Sequence, residues 1–456
     1  MKIDVLVAEI GSTTTIVNAF NNINSNPTFI GQGYADTTVH LGDVNIGLQK
    51  AIHNLTETLK VDNLEIKESF ACSSAAGGLK MSVHGLIYDM TVKAAREAAL
   101  GAGANIHFVT AGVLNKFDLD KIKSLNLNII MISGGVNYGE TKTALENARL
   151  IASLQLNIPI IYAGNITIHE EVKQIFKDAK QEKYLYITEN VYPRIDELNV
   201  EPARKIIQDV FEAHITEAPG MQNVRETINK NILPTPGATL TAALLLQKHL
   251  GDLVTIDVGG ATTDIHSISD DSNEIARILI TPEPFAKRTV EGDLGVYVNR
   301  NNVFSLIDEA KLKQSLKISD EEYHKLKQNY EVIPKGLQIK IVEELTFVCI
   351  INALERHAGK YVSFYGSSGK TTLAQGKDLT NVGYIIGTGG PLTRLSNGEN
   401  IIKAAITSLK DDILKPANSV TVLIDHHYLM ASLGVLSLKY PEASLKLLLE
   451  SLKVGE

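Results

Sequence analysis

Glu9-Ile-Gly-Ser-Thr-Thr-Thr15 and Asp257-Val-Gly-Gly-Ala-Thr-Thr-Asp264 repeat one pattern at a separation of 248 residues. Each segment follows an apolar run, at residues 5–8 and 253–256, that is typical of a buried strand. The acid, the glycine and the two threonines then follow in the same order. A strand that ends in a carboxylate and runs into a glycine turn directs backbone N–H groups and hydroxyls at an anion. The pair therefore predicts two facing phosphate loops, from related halves, that clamp the phosphates of one nucleotide.

Either segment alone is better explained by ordinary turn chemistry, because Asp-x-Gly after a strand is a common way to begin a turn. The duplication is what favours a shared function over two unrelated turns.

The composition fits a globular protein with room for two or three domains. Of the 456 residues, 44% are hydrophobic and 21% are charged. The formal net charge of −8 and the isoelectric point near 5.9 argue against a broad surface for nucleic acid or for an acidic membrane. Any phosphate must therefore be held by a local site.

Cys72 and Cys349 are the only cysteines, and they lie too far apart in sequence for a thiolate metal site. The N-terminal residues predict a strand and lack the apolar core of a signal peptide, and no apolar run approaches the ~20 residues that span a bilayer. We expect a reduced, cytoplasmic protein.

The hydrophobic pattern predicts four regions. Residues 1–80 form the first half of one domain, with strands at 3–10, 14–21, 28–34 and 68–73 and a helix at 44–59. Residues 81–190 alternate strands (106–109, 129–132, 158–162, 184–187) with helices such as 138–154, which predicts an inserted α/β domain. Residues 191–250 complete the first domain with helices, including 240–246, and a boundary falls near Gly251. Residues 251–456 form the second domain, with a charged helical subdomain near 302–335 and an apolar helix at 337–357 that carries Cys349 as a core residue.

A third glycine turn, Gly387-Thr388-Gly389-Gly390, follows a predicted strand at 382–386 and precedes a helix. Such a turn can pass against a flat ring or a phosphate. It is weak evidence alone and gains weight from its place after the second repeat.

Two other patterns are rejected as functional sites. Gly366-Ser-Ser-Gly-Lys-Thr-Thr372 lacks the first glycine of a P-loop, since Phe364 stands there, and is interpreted as a polar surface loop. Asp425-His-His427 follows a predicted strand at 421–424, but adjacent histidines in extended chain point to opposite faces, which disfavours a shared metal ion. No Ser/His/Asp or Cys/His set has local support.

The two repeats and the segment Ile386-Gly-Thr-Gly-Gly390 together resemble the phosphate 1, phosphate 2 and adenosine motifs of the actin, sugar kinase and heat-shock chaperone ATPases. Five further segments are similar to the glutamate mutase accessory family of the MutL type, which is unrelated to the mismatch-repair protein of similar name. These segments are Ser74-Ala-Ala-Gly-Gly78, Ala148-Arg-Leu150, Ala163-Gly-Asn165, Arg288-Thr-Val-Glu-Gly-Asp-Leu-Gly295 and Gly376-Lys-Asp-Leu-Thr380. The resemblance covers most of the chain.

The resemblance implies an actin-like, ribonuclease H-like α/β duplication in which two mixed-sheet domains bind ATP or ADP with magnesium. By motif position, the phosphates would contact Gly11, Ser12, Thr13, Thr14, Gly259, Gly260, Ala261 and Thr262. Gly387, Thr388, Gly389 and Gly390 would border the adenosine. Glu9 and Asp257 would hold Mg²⁺ through water, and with Asp264 they are the candidate catalytic carboxylates.

One departure from the superfamily concerns the first motif, which ordinarily begins with aspartate. Glu9 is longer by one methylene and could displace the metal-bound water. Since a misplacement of about 1 Å can cost about a hundredfold in rate, hydrolysis is expected to be slow or absent.

Three functions follow from these features. The leading one is an ATPase that reactivates or chaperones an adenosylcobalamin-dependent aminomutase, with the inserted domain facing the client. The alternatives are a nucleotide-gated scaffold without hydrolysis and a small-molecule kinase of the same superfamily, although no general base beside a substrate pocket is recognisable. The sequence leaves open the identity of the mutase, contact with cobalamin and the oligomeric state.

Overall fold

The computed structural model describes residues 1–11, 13–38, 41–74, 79–102, 104–215, 224, 228, 232–331, 333–366 and 369–454. Ser12 and residues 75–78 and 367–368, which the sequence analysis used, lie outside the described residues. The chain divides into two compact units. Unit 1 comprises Met1–Ile23, Thr28–Ala238 and Thr281–Lys287, and unit 2 comprises Asn24–Pro27, Thr239–Ile280 and Arg288–Glu456.

A five-stranded mixed sheet opens unit 1. Its elements are β1 Lys2–Ile10, β2 Thr14–Asn21, β3 Thr28–Asp36, α1 Asn45–Leu59, β4 Glu65–Ser73 and β10 Ile232–Pro234. The strand order is β10-β4-β1-β2-β3, with β1 antiparallel to β2 and parallel to β4. Helix α1 lies against β3 because Gly33 leaves room, since a Cβ there would lie 2.2 Å from the carbonyl oxygen of Ala51. The predicted strands and helix of this region are confirmed.

A second, wholly parallel sheet lies between β4 and β10 in the chain. Its strands are β5 Lys80–Gly85, β6 Asn105–Ala111, β7 Ile129–Ile132, β8 Ile160–Tyr162 and β9 Leu185–Ile187. Their order is β6-β5-β7-β8-β9. The helices that connect and follow the strands are α2 Lys93–Gly101, α3 Lys116–Ser124, α4 Lys142–Ser153, α5 His169–Asp178 and α6 Glu201–Ile215, with a π-helix at Tyr88–Val92. The interpretation of this region as an inserted domain stays a prediction.

The helix predicted at 138–154 begins later, at Lys142. Gly135 and Tyr138 both take positive φ angles of 64°, which no helix accepts, and Glu140 accepts hydrogen bonds from the backbone and side chain of Thr143. The helix start was therefore predicted four residues too early.

Unit 2 contains the second mixed sheet. Its strands are β11 Leu253–Val258, β12 Thr263–Ile268, β13 Ala286–Glu291, β16 Tyr384–Thr388 and β17 Thr421–Ile424. The order is β13-β12-β11-β16-β17, with β11 antiparallel to β12 and parallel to β16. A central strand again pairs with a hairpin neighbour on one side and with parallel strands on the other. This repetition is the duplication of the actin-like, ribonuclease H-like fold, and the predicted fold class is confirmed.

Helices make up most of the other elements of unit 2, and one helix lies just before its first strand in the chain. They are α7 Thr235–Leu250, α8 Asn273–Ala276, α9 Arg300–Phe304, α10 Glu309–Leu316, α11 Asp320–Gln328, α12 Leu337–His357, α13 Gly390–Arg394, α14 Gly398–Ser408, α15 Met430–Ser437 and α16 Pro441–Ser451. Cys349 is buried on α12, as predicted. Within the described residues, no helix has the length and apolar content needed to cross a membrane.

A hairpin replaces much of the polar loop predicted at 366–372. Strands β14 Lys360–Gly366 and β15 Gly369–Gln375 pair antiparallel. Because Gly369 and Lys370 enter a strand, and a P-loop lysine enters a helix, the rejection of a P-loop stands. The loop prediction is wrong for 369–372. Most side chains of β15 are exposed, so the sequence there lacks the apolar alternation by which a strand is recognised.

Candidate functional site

The two glycine turns occupy the same place in their respective sheets. The cross-strand pairs that border them are Ile10 with Thr15 and Val258 with Thr263. In the first turn the Gly11 N–H donates to the Thr14 carbonyl at 3.0 Å, and in the second the Gly259 N–H donates to the Thr262 carbonyl at 2.9 Å. The sequence repeat is therefore also a repeat of backbone structure.

The turn in unit 1 is fixed from one side by Thr37. Its backbone N–H donates to the carbonyl of Thr13 at 2.9 Å, and its hydroxyl lies 2.9 Å from that of Thr15. Glu9, at the end of β1, is only 5% exposed. The carboxylate of Glu9 and the described threonines of the first motif are thus held at the end of the β1–β2 hairpin.

The turn in unit 2 is held in place by hydrogen bonds that its carbonyl groups accept. The bonds are Val296 N to Gly259 O at 3.2 Å, Tyr297 N and Val298 N to Gly260 O at 2.9 and 2.7 Å, and Asn299 Nδ2 to Ala261 O at 2.7 Å. In the part of the chain that the structure describes, the amides of Gly260, Ala261 and Thr262 donate to no protein acceptor. Three consecutive unpaired donors in a fixed turn are the donor set that an anion such as phosphate requires.

Gly295 supports this turn by direct contact. A Cβ at that position would lie 2.3 Å from the carbonyl carbon of Ala261 and 2.4 Å from its oxygen, so only glycine fits. The segment 288–295, which the sequence analysis used only for a family resemblance, therefore has a structural function at the second turn.

Asp257, at the end of β11, is influenced electrostatically by two other carboxyl groups, those of Asp264 and Asp425. The pKa of its carboxyl group is raised to about 7: burial is the largest cause, the carboxylates of Asp264 and Asp425 add to the rise, and Arg288 opposes it. Because the pKa of this carboxyl group lies close to neutral pH, a cation bound beside it would favour the ionised form. The residues present fit the hydrated magnesium ion that the resemblance implies.

Asp264 is engaged by a buried arginine. Arg288 Nε and Nη2 lie 3.0 and 2.5 Å from Asp264 Oδ1, while the Thr262 hydroxyl donates to Asp264 Oδ2 at 3.1 Å. The pair thus fixes the orientation of Thr262 at the end of the turn. The equivalent position in unit 1, opposite Glu9, is Ile16, so only the second turn has this device.

The third glycine turn contacts the second motif. Gly389 has a φ of +89°, and a Cβ there would lie 2.2 Å from the Val258 carbonyl oxygen and 2.7 Å from Asp257 Oδ1. The adjacent Gly390 begins α13. Two of the three predicted motifs, Asp257–Thr262 and Gly387–Gly390, are therefore brought together within unit 2.

Asp425 is a residue that the sequence analysis did not assign to this site. Its carboxylate is wholly buried and accepts four hydrogen bonds. The donors are the Thr388 hydroxyl at 3.0 Å, the backbone N–H groups of Leu429 and Met430 at 2.7 and 2.9 Å, and the Ser451 hydroxyl at 2.5 Å. The available signal was an acid directly after an apolar strand, as at Glu9 and Asp257. Across the described residues, no three or more His, Cys, Asp or Glu side chains are grouped to hold a metal ion.

Comparison with known proteins gives the family. A family model described as MutL protein matches residues 5–452. Protein MutL of Clostridium tetanomorphum is 36% identical over 457 residues, which cover 97% of this chain and 98% of that protein. The chain belongs to the MutL family of glutamate mutase accessory proteins. The matched range includes all three motifs described above.

Solved structures similar to this MutL-family chain have low sequence identity. Nucleotide-free acetone carboxylase is 12% identical at a TM-score of 0.41, covering 95% of this chain and 70% of that one. A glucokinase of the ROK family from Streptomyces griseus, in complex with glucose and AMPPNP, is 9% identical at a TM-score of 0.34, covering 97% and 98%.

Proposed function

We propose that this MutL-family chain binds ATP and ADP with Mg²⁺, hydrolyses ATP slowly, and reactivates or chaperones an adenosylcobalamin-dependent aminomutase such as glutamate mutase. The observation that carries the nucleotide part is the turn Gly259–Thr262. Its first three carbonyls accept hydrogen bonds from residues 296–299, and its last three amides are unpaired in the described structure. This donor set beside Asp257 suits a phosphate and its counterion.

The proposed roles follow the motif positions. Residues 11–14 and 259–262 bind phosphate oxygens through amides and hydroxyls, and Gly387–Gly390 border the adenosine. Thr262, oriented by Asp264, presents its side chain at the end of the second turn. Because ATP and ADP differ by one phosphate, a cycle requires that these contacts favour different arrangements of the protein for the two nucleotides.

Glu9 and Asp257 are the residues that would hold magnesium, through water molecules. When bound, the ion neutralises phosphate charge and supplies a Lewis acid. Asp257 provides the negative charge for this purpose, and the contact of its Oδ1 with the Gly389 backbone limits where that charge lies.

The nucleotide proposal is tested by calorimetric titration of the purified chain with ATP and ADP in the presence and absence of Mg²⁺, followed by measurement of phosphate release. Saturable binding that strengthens with Mg²⁺ is expected. Absence of any heat of binding with either nucleotide would refute the proposal.

The contact of Gly295 with the second turn provides a test of the site. Gly295→Ala is expected to displace Ala261, weaken ATP binding at least tenfold, and lower the free energy of unfolding by about 1–3 kcal/mol, because the added methyl overpacks backbone atoms. Gly292→Ala is the matched control, since a Cβ there meets no atom within 4 Å. Calorimetry and urea unfolding give the two quantities, and equal ATP affinity in Gly295→Ala and wild type would contradict the role of the turn.

The partner part of the proposal is supported by the family. The parallel sheet β5–β9, with its helices, is proposed as the inserted domain that faces the client mutase. We also propose a cytoplasmic location, since the chain has only two cysteines, Cys72 and Cys349, and both are buried.

A second candidate, a nucleotide-gated scaffold without hydrolysis, is favoured by the glutamate at position 9. Glu9 is nearly buried, so its longer side chain cannot turn out into solvent to make room for the metal-bound water. Glu9→Asp is expected to raise the rate of phosphate release about tenfold or more if this carboxylate limits the positioning of the attacking water. Steady-state phosphate release measures it, and the ATP dissociation constant is the control. A rate that does not change would remove Glu9 as the cause of slow turnover.

A further inference from the structure

The parallel sheet β5–β9 presents one edge at which all five strands end. Because the strands are parallel, the connections that follow them, with the first residues of the helices they enter, meet at this edge, here called the carboxyl edge: residues 86–89, 112–118, 133–142, 163–167 and 188–197. The connections that enter the strands β6–β9, at 101–104, 125–128, 154–159 and 179–184, lie at the opposite, amino edge.

Every connection of the carboxyl edge exposes a large apolar or aromatic side chain. The residues and exposed fractions are Tyr88 52%, Phe117 84%, Tyr138 82%, Ile166 38% and Ile195 69%. At the described residues of the amino edge, from which Gly103 is excluded, no large apolar side chain is exposed. Both edges belong to the same sheet, so the fold alone does not explain why large apolar side chains are exposed at only one of them. Clustered exposed apolar groups are typical of an interaction surface.

Tyr138 is held in a strained conformation at this surface. Its φ of +64° is rare for a bulky residue and costs about 1–2 kcal/mol relative to ordinary backbone. The buried Asn165 accepts its N–H at 3.2 Å, and Asn137 of the same loop is bound by the Ile166 N–H at 3.2 Å and by Asn190 Nδ2 at 3.0 Å. The loops are thus tied together in a way that fixes an exposed tyrosine, the residue type enriched at the centre of protein interfaces.

The charges at the carboxyl edge indicate what kind of surface it fits. Its exposed ionisable residues are five acids, Asp89, Glu140, Glu189, Asp196 and Glu197, and three bases, Lys116, Lys142 and Arg194. The net charge is therefore −2. A second copy of the chain would bring the same negative excess, so the edge is better matched by a different protein whose apolar surface is bordered by lysine and arginine.

We propose that the carboxyl edge is the docking surface for the client mutase, with Tyr138 and Phe117 as its aromatic anchors and the acids as its rim. The proposal rests on the proposed function and specifies which face of the chain performs it.

The test measures binding of the complete, purified glutamate mutase to the immobilised 456-residue chain by interferometry. Tyr138→Asn and Phe117→Ser are each expected to weaken binding at least tenfold. Leu438→Ser is the control, because Leu438 is a 62% exposed apolar side chain of unit 2 that is not part of the carboxyl edge, and that variant should bind within twofold of wild type. Tyr138→Asn should melt no lower than wild type, since asparagine tolerates the positive φ. A double variant, Asp89→Lys with Glu140→Lys, should slow association at low salt.

Each outcome bears on the proposal. If the mutase binds wild type and the Tyr138 and Phe117 variants equally, the docking surface is wrong while the proposed partner stands. If the mutase binds no form of the chain, both fail for this client, whereas intact nucleotide binding in the same sample would preserve the ATP site. If wild type dimerises on a sizing column and Tyr138→Asn is monomeric, the edge is a contact between copies, and the commitment to a different protein is overturned.

Discussion

Asp257→Asn is expected to leave the chain folded and to reduce ATP turnover by at least about a hundredfold, the usual size of an effect when one preorganised electrostatic group is removed from a reacting site. The amide keeps the shape of the carboxyl group and its contact with the Gly389 backbone, but it cannot carry the negative charge that Asp257 supplies. Phosphate release at saturating MgATP measures the turnover. Gly292→Ala, in a position with no neighbour for a Cβ, is the control for nonspecific loss.

The same substitution has a second expected result that needs no nucleotide. Because the folded-state pKa of Asp257 is about 7 and its ordinary value is 3.8, the native state binds this proton more tightly than the unfolded state. The free energy of unfolding of wild type therefore falls as pH rises from about 4 to about 7, and the asparagine variant lacks this contribution.

The stability of Asp257→Asn relative to wild type should accordingly increase by about 2 kcal/mol between pH 5 and pH 7 and level off above pH 8. Urea unfolding at a series of pH values, without metal or nucleotide, gives the difference directly. A difference that is constant over this range would mean that the carboxyl group is not perturbed, and a variant with normal turnover would exclude Asp257 from the reaction.

The duplicated fold could be predicted from the sequence because its signals are local. An apolar run, an acid and a glycine turn specify a strand, its end and the reversal that follows, and the offset of 248 residues recurs in the cross-strand pairs of both hairpins. Four of the five strands of the parallel sheet were found for the same reason, as short buried runs, whereas β5 Lys80–Gly85 was missed. Hairpin β14–β15 was missed, since its exposed strands offer little apolar alternation.

The environment of the site could not be predicted, because it depends on contacts between distant segments. Arg288 reaches Asp264 from 24 residues away, and Thr388 donates to Asp425 across 37 residues. Nothing in the local pattern around Asp264 reveals that both of its oxygens are occupied. The positions of the two glycine turns could therefore be predicted from the sequence, whereas the side chains that orient the second turn could not.

The contact between the second and third motifs leads to the other large effect. Gly389→Ala is expected to lower the free energy of unfolding by about 2–4 kcal/mol, the sum of a left-handed backbone at φ +89° and overpacking against the Val258 carbonyl 2.2 Å from the new methyl group. Since the same methyl would lie 2.7 Å from Asp257 Oδ1, ATP binding should also weaken at least tenfold.

Gly390→Ala is the matched control for stability. It is the next residue, a Cβ there meets no atom within 4 Å, and it begins α13, where alanine is favoured over glycine. Its free energy of unfolding should lie within about 0.5 kcal/mol of wild type. Urea unfolding and calorimetry on the three proteins separate the two effects. A Gly389→Ala protein as stable as Gly390→Ala would show that the third turn does not press against β11, and the link between the adenosine and phosphate motifs would then be lost.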